Sequence, residues 1–321
     1  MFDVNWRPTA SLMNQKLRAK LYSDIRKFFS DREVLEVETP LLSQYTVTDI
    51  HIESFQTTYY NHKEKLYYYL QTSPEYAMKR LLANGSGAIY QICKAFRNGE
   101  RGAQHNPEFT LLEWYKPGSS HHDLMNEIDE LLQFTLHTKK ALRKTYSELF
   151  SEYLSINPLS VSLKKLQSLA RKFALENVNH YTDHTTLLQF LFTHAIEPNI
   201  GFGQPLFIYD FPAPQAALAK INPQNSDIAL RFELYIEAIE CANGFEELTD
   251  AQEQRYRFEQ DILNRQKKGL FKIEIDQRFL ASLKSGLPPC AGVAVGLDRL
   301  LMIKTKAHHI QEVITFPSDI A

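Results

Sequence analysis

The feature that most restricts the fold is a pair of strand patterns, Ala88–Arg97 and Glu108–Tyr115, joined by the polar stretch Asn98–Pro107. Two neighbouring strands returning through such a loop predict an antiparallel hairpin, because a parallel pair needs a longer crossover. Ahead of it, Leu17, Leu21, Ile25, Phe28 and Phe29 fall at helical spacing between Ser11 and Ser30, with Ser11 placed to cap. Val34–Glu38 is a short strand pattern stopped by Thr39-Pro40, Leu66–Gln71 is a tyrosine-rich one, and Pro74 opens a helix that Gly85 ends. Residues from Pro117 to Gly203 are mostly helical in pattern, as at His122–Leu136 and Leu163–Leu175. Strand patterns resume at Leu206–Phe211 and Arg231–Glu240; Asp250–Lys267 predicts a charged helix, and Ala291–Ile303 a strand running into a helix. Strands on both sides of a helical block predict one α+β domain over residues 1–321, an antiparallel sheet flanked by helices, with a helical insertion at about 117–203.

Charge excludes one class of partner surface. With 36 basic against 38 acidic side chains and a net charge of -2, no broad basic face is expected, and contact with nucleic acid would need a local patch. Cys93, Cys241 and Cys290 lack a CxxC or zinc-ligand rhythm and are expected in the core. Met1 to Pro8 has no apolar signal core, and no run approaches the roughly 18 residues of a membrane span, so residence in the cytoplasm without a membrane partner is expected. His180 and His184 have i, i+4 spacing without an evident third ligand, and read as a helix face or loop. His121-His122, His308-His309 and the charges from Glu253 to Lys268 read as solvated, and Tyr67 to Tyr69 as strand packing.

Three segments are less generic. Glu36-Val-Glu-Thr-Pro40 follows the first helix; Phe96-Arg97-Asn98-Gly99-Glu100 continues to His105-Asn-Pro-Glu-Phe-Thr110 and Glu113-Trp-Tyr115; Gly292-Val-Ala-Val-Gly-Leu-Asp-Arg299 stands near the end. In this order they resemble motifs 1, 2 and 3 of class II aminoacyl-tRNA synthetases. Between them, Thr72-Ser-Pro-Glu-Tyr76 and Glu240-Cys-Ala-Asn-Gly-Phe-Glu-Glu247 resemble the amino-acid pocket of lysyl-tRNA synthetases. The resemblance runs from about Trp6 onward, and five segments in order are far more specific than any one. Lysyl-tRNA synthetases carry an anticodon-binding OB domain ahead of motif 1, and none is expected here. With the Ser-Pro-Glu and Asn-Gly-Phe forms of the pocket, that is similar to the paralogues of the lysyl core that attach (R)-β-lysine to elongation factor P.

The resemblance implies ATP as substrate and magnesium as its ion. It implies (R)-β-lysine or lysine as the activated amino acid, elongation factor P rather than tRNA as acceptor, and a homodimer with Pro40 and the first helix at its interface. Arg97 and Arg299 would be the catalytic clamps, Arg97 on the α-phosphate and substrate carboxylate and Arg299 on the γ-phosphate. Phe109 would stack on adenine, with Asn98, Glu100, His105, Asn106, Cys241 and Gly296 around the nucleotide and Glu233 and Glu240 on magnesium. Glu75, after Ser73 and Pro74, would face the amine near the reacting carboxylate; Glu113, Glu247 and the Tyr115 hydroxyl would hold the distal ammonium; Asn243, Phe245 and Ala294 would line the pocket. The residues themselves agree in part: Phe109, Leu111, Glu113 and Tyr115 must share one strand face, and a substrate with two ammonium groups needs at least two desolvated carboxylates. Glu233 and Glu240 need a bulge or strand end between them to converge.

Two departures stand out. Lysyl-tRNA synthetases have Arg-x-Glu in motif 2, whereas Gly99 stands two residues after Arg97 and the glutamate is Glu100. Ser73 and Ala294 occupy positions usually held by alanine and glycine, and the added hydroxyl and methyl suit selection of a β-amino acid. Two alternatives remain open: a free-standing core that charges tRNA, and a catalytically silent amino-acid-binding regulator.

Overall fold

The computed structural model describes residues 6–62 and 64–321; of the stretch Met1 to Pro8, expected to lack a signal core, Met1 to Asn5 lie outside them. The chain divides into two compact units, Met1–Ser120 with Thr249–Ala321, and His121–Leu248.

The first unit opens with α1 (Leu12–Ser30), where the Ser11 hydroxyl accepts from the Asn14 amide at 3.1 Å, satisfying one of the first-turn donors. β1 is only Leu35–Glu36. β2 (Leu42–Ser43), β3 (Gln56–Asn61) and β4 (Glu64–Leu70) form a small sheet in the order β2-β4-β3. α2 (Glu75–Ala83) starts directly after Pro74, and Gly85 turns away at φ +87°. The predicted hairpin is β5 (Ile89–Phe96) against β6 (Glu108–Pro117), antiparallel, with β1 parallel to β5 on its far side. Phe29 of α1 closes the layer, stacking on Tyr90 at 4.4 Å and meeting Trp114 edge-on at 5.3 Å.

In the second unit α3 (His121–Leu136) precedes β7 (Leu142–Thr145), a strand within the stretch expected to be helical. α4 (Tyr146–Leu154), α5 (Leu163–Lys172) and α6 (His184–Leu191) surround a core that includes Tyr146, Phe150, Leu166 and Leu191. β7 runs parallel to β8 (Leu206–Pro212), which pairs antiparallel with β9 (Ile228–Ile236), and β9 with β10 (Ile239–Glu246). The single strand expected over Arg231–Glu240 is therefore a hairpin. Its turn residues Glu237 and Ala238 both have positive φ, 50° and 58°, without the usual Asn-Gly or Asp-Gly. Tertiary hydrogen bonds replace that preference: the Glu237 and Ala238 amides donate to the carbonyls of Gly201 and Ile200 at 2.9 and 3.0 Å. A Cβ on Gly201 would lie 2.8 Å from the Tyr235 carbonyl oxygen, so only glycine fits there.

The chain then returns to the first unit through α7 (Ala251–Lys267), α8 (Gln277–Gly286), β11 (Cys290–Gly296) and α9 (Leu297–Thr305), with β11 antiparallel to β6. α7 is not charged and solvated throughout. Arg265 is buried and donates to the Asp49 carbonyl at 2.8 Å, fixing the loop before β3. Among the described residues no helix is long and apolar enough to cross a membrane.

Candidate active site

Strand register gathers the first unit's site residues on one face. Phe109 pairs with Ala95, Leu111 with Cys93 and Gly296, Glu113 with Gln91 and Ala294, and Tyr115 with Ile89 and Gly292. Side chains of directly paired residues share a face, so Phe109, Glu113 and Tyr115 lie in a row on it. Opposite Tyr115, Glu113 and Leu111, β11 places Gly292, Ala294 and Gly296, leaving the strip beside them almost bare of side chains.

Within this row the Tyr115 hydroxyl donates to Oε1 of Glu113 at 2.6 Å, and both residues are buried. Burial, and then the Glu113 charge, push the Cys93 thiol up to about 12. At the start of α2, Glu75 Oε1 accepts from Lys79 at 2.5 Å. Ser73 and Pro74 precede it, Pro74 in the cap position.

Arg97 leaves the end of β5, with its guanidinium 5.1 Å from the Phe109 ring centre and 3.7 Å from the Glu100 carboxylate. In the connecting loop Gly99 has φ +78°, a conformation that suits glycine, and the exposed Asn98 is tied through its amide to the Glu53 carbonyl at 2.7 Å. His105 is exposed, and its Nε2 lies 2.7 Å from the Arg299 guanidinium. Asn106 instead is buried. Its amide donates to the Glu108 carbonyl at 2.6 Å and accepts from the Ser318 amide at 3.2 Å, so it shapes the loop from inside.

In the second unit a register shift between Glu240 and Ala242 makes Cys241 the extra residue of a bulge. Glu240 then pairs with Tyr235 and Asn243 with Glu233, so Glu233, Glu240 and Asn243 share a face. Cys241 does not join them: its thiol is buried and donates to the Ile239 carbonyl at 3.4 Å. Arg231 donates to Glu233 Oε1, and the Tyr235 hydroxyl donates to Oε2 at 2.8 Å. Arg231 also reaches the Asn243 side-chain oxygen at 3.3 Å, and Phe245 stands opposite it in the register. Burial raises the Glu233 carboxyl to about 7; Arg231 opposes the rise and the Glu240 charge adds to it. Two neighbouring carboxylates, with lone pairs beyond those taken by hydrogen bonds, are a donor set suited to a hard cation that also takes phosphate oxygens. Among the described residues, no group of three or more His, Cys, Asp or Glu side chains could hold a metal by itself. Glu247, just past β10, is buried beside the bridge to Ala219.

Sequence reasoning missed several residues that shape these sites. Asp298 is buried and takes the Arg18 guanidinium at 2.5 Å and the Thr110 amide at 2.7 Å, anchoring the first turn of α9 that carries Arg299. Arg231 and Tyr235 were legible only as alternating neighbours of Glu233. His121, expected in solvent, is buried with its Nδ1 at 3.3 Å from Glu246. Of the cysteines, Cys241 and Cys290 are buried and Cys93 is half-buried.

The class is shown by comparison with known families: the chain belongs to the family of tRNA synthetases class II (D, K and N), whose model matches residues 4–320. Similar proteins include one from Histophilus somni (strain 2336), 52% identical over 322 residues that cover 99% of each chain. Another, from Avibacterium paragallinarum, is 52% identical over 319 residues, and one from Klebsiella pneumoniae (strain 342) is 50% identical over 319, both covering 98% of each chain. All three are named "Elongation factor P--(R)-beta-lysine ligase".

Proposed function

We propose that the protein is an ATP-dependent ligase that activates (R)-β-lysine as an aminoacyl-adenylate and transfers it to the ε-amine of a lysine on elongation factor P. The observation that carries this reading is the common face of β5, β6 and β11, with Arg97 and Phe109 at one end and Glu113 with Tyr115 at the other. The ends suit the two ends of one substrate, an activated carboxylate and an ammonium. In the first step a substrate carboxylate oxygen attacks the α-phosphorus of ATP and pyrophosphate leaves. Arg97 neutralises charge developing at the α-phosphate and Arg299 holds the γ-phosphate, so catalysis is positioning and electrostatics without a covalent enzyme intermediate. In the second step the acceptor amine attacks the acyl carbon and AMP leaves.

Glu75 faces the amine nearest the reacting carboxylate, while Glu113 and the Tyr115 hydroxyl hold the distal ammonium; in the second unit Glu247, Asn243 and Phe245 are further candidates for binding the amino acid. In the second unit Glu233 and Glu240 would hold magnesium. Ala294 stands opposite Glu113 in the register, where its methyl narrows the strip, and the Ser73 hydroxyl lies just ahead of Glu75. These two select the β-amino acid. Ala294→Gly is expected to raise use of α-lysine relative to (R)-β-lysine by roughly tenfold, the order that one added carbon is worth in a pocket. The enzyme works in the cytoplasm as a homodimer through α1 and the segment around Pro40, where Leu35, Leu41 and Leu42 are exposed.

The test is pyrophosphate exchange with (R)-β-lysine and α-lysine in parallel, with purified elongation factor P or bulk tRNA as acceptor. Exchange preferring (R)-β-lysine and a mass gain on the factor alone are expected. Charged tRNA would overturn the acceptor, and absence of exchange would overturn the ligase.

A further inference from the structure

We infer that Lys79 is a positioning residue for substrate recognition: its ammonium holds Oε1 of Glu75 and so aims Oε2 at the amine nearest the reacting carboxylate. This deepens the ligase reading and rests on it.

Lys79 is an unusual lysine. Its side chain is 1% exposed, against 14% for Glu75 one helical turn earlier, and the two meet at 2.5 Å. Other i, i+4 pairs on the helices differ: Lys20 beside Asp24 is 67% exposed, and Lys27 beside Asp31 is 63% exposed. Those surface pairs are worth little, whereas a buried ammonium costs several kcal/mol unless it is well paired. The burial of Lys79 beneath a substrate-facing carboxylate therefore calls for a reason that surface pairing does not supply.

The surroundings provide one. The Lys79 ammonium lies 5.9 Å from the ring centres of both Tyr115 and Phe279, within reach of their π faces. Phe279 is itself fixed, stacked on Tyr76 at 4.3 Å with planes 3° apart. A glutamate carboxylate otherwise turns easily about its last torsion. Held at Oε1 by an ammonium that cannot swing into solvent, Glu75 keeps one plane, and Oε2 is not engaged by Lys79. The same Tyr115 ring carries the hydroxyl that holds Glu113 at 2.6 Å. The ring contact packs Lys79 in place, whereas Glu113 is held by the Tyr115 hydroxyl itself and does not depend on the Lys79 charge. Lys79 also neutralises Glu75 before substrate arrives, so the near amine is recognised by the direction of a hydrogen bond more than by net charge. That geometry separates an amine on the β carbon from one on the α carbon.

The experiment compares wild type with Lys79→Met, reading KM for (R)-β-lysine in pyrophosphate exchange and Ki for 6-aminohexanoic acid as competitor. The competitor keeps the carboxylate and the distal ammonium but lacks the near amine. A KM raised roughly tenfold to a hundredfold, the range for one charge-assisted hydrogen bond, with Ki changed less than about twofold, is the expected result. Equal rises in both constants mean a merely structural lysine, and no change in either means no role; each overturns the inference. Should the methionine variant not fold, the same ratio read on Lys79→Arg decides, because the retained charge reaches Glu75 from a different position. A Glu75→Gln, Lys79→Met cycle must also be non-additive in KM. Wild type that exchanges with neither lysine overturns the ligase reading together with this one. Wild type that exchanges while the variant ratio stays flat overturns the Lys79 role alone.

Discussion

Arg97 and Arg299 in the first unit are partly exposed and lean on groups that a ligand can replace, whereas Glu233 in the second is buried between Arg231 and Tyr235. Arg97 meets Glu100 only at 3.7 Å and lies over the Phe109 ring, and Arg299 rests against the exposed His105. Such contacts are weak in water and cost little to exchange for phosphate oxygens. Glu233 has both carboxylate oxygens occupied by neighbours of its own strand, and its burial would be costly if either were lost. The two arginines are held loosely, whereas the buried Glu233 is held by the fold.

That contrast predicts different losses. Arg299→Ala and Arg97→Ala should each lower kcat for pyrophosphate exchange roughly 100- to 1000-fold, with unfolding free energy in urea unchanged within about 0.5 kcal/mol. A large loss of stability in either would break the comparison. Arg231→Met should show the reverse balance, losing roughly 3 kcal/mol in urea unfolding, the lower end for a broken buried pair because Arg231 is partly exposed. Asp298→Asn sharpens the contrast, since Asp298 is the first unit's own prebuilt charge. Replacing the carboxylate that takes Arg18 and the Thr110 amide should cost roughly 2 kcal/mol, and exchange should slow as α9 shifts Arg299.

The two units were also unequally legible. The β5–β6 hairpin, the Ser11 cap and the shared face of Phe109, Glu113 and Tyr115 follow from local periodicity, and the structure has them where the spacing puts them. The β9–β10 hairpin does not, because Glu237-Ala238 carries no turn preference of its own and is held by Ile200 and Gly201, far away in sequence. With the turn hidden, so was the bulge at Cys241 that brings Glu240 to the Glu233 face. The spacing of Glu75 and Lys79 was visible, yet it matches that of Lys20 with Asp24, and only burial separates them. His121-His122 looked solvated because a pair of histidines at a helix start has no hydrophobic pattern, and packing decides which ring faces in.

His121 supplies the smallest and most selective test. Burial first, and then the neighbouring His122, hold its imidazole below the ordinary 6.5, against the pull of Glu246. The unfolded chain therefore takes up a proton there before the folded chain does. The stability this group contributes is present above pH 6.5 and is lost as pH falls through the lowered folded value. Cys93 in the first unit responds at the other end of the scale. Its folded thiol keeps its proton to about 12 while the unfolded one ionises from 9.0, so its contribution is lost as pH rises across that window. Melting curves from pH 7 to 5 should fall less steeply for His121→Gln than for wild type, and Cys93→Ser should flatten only the alkaline limb. If His121→Gln left the acid limb as steep as before, the acid sensitivity of the second unit would have to be sought in its carboxylates, and the assignment of a buried neutral imidazole would be wrong.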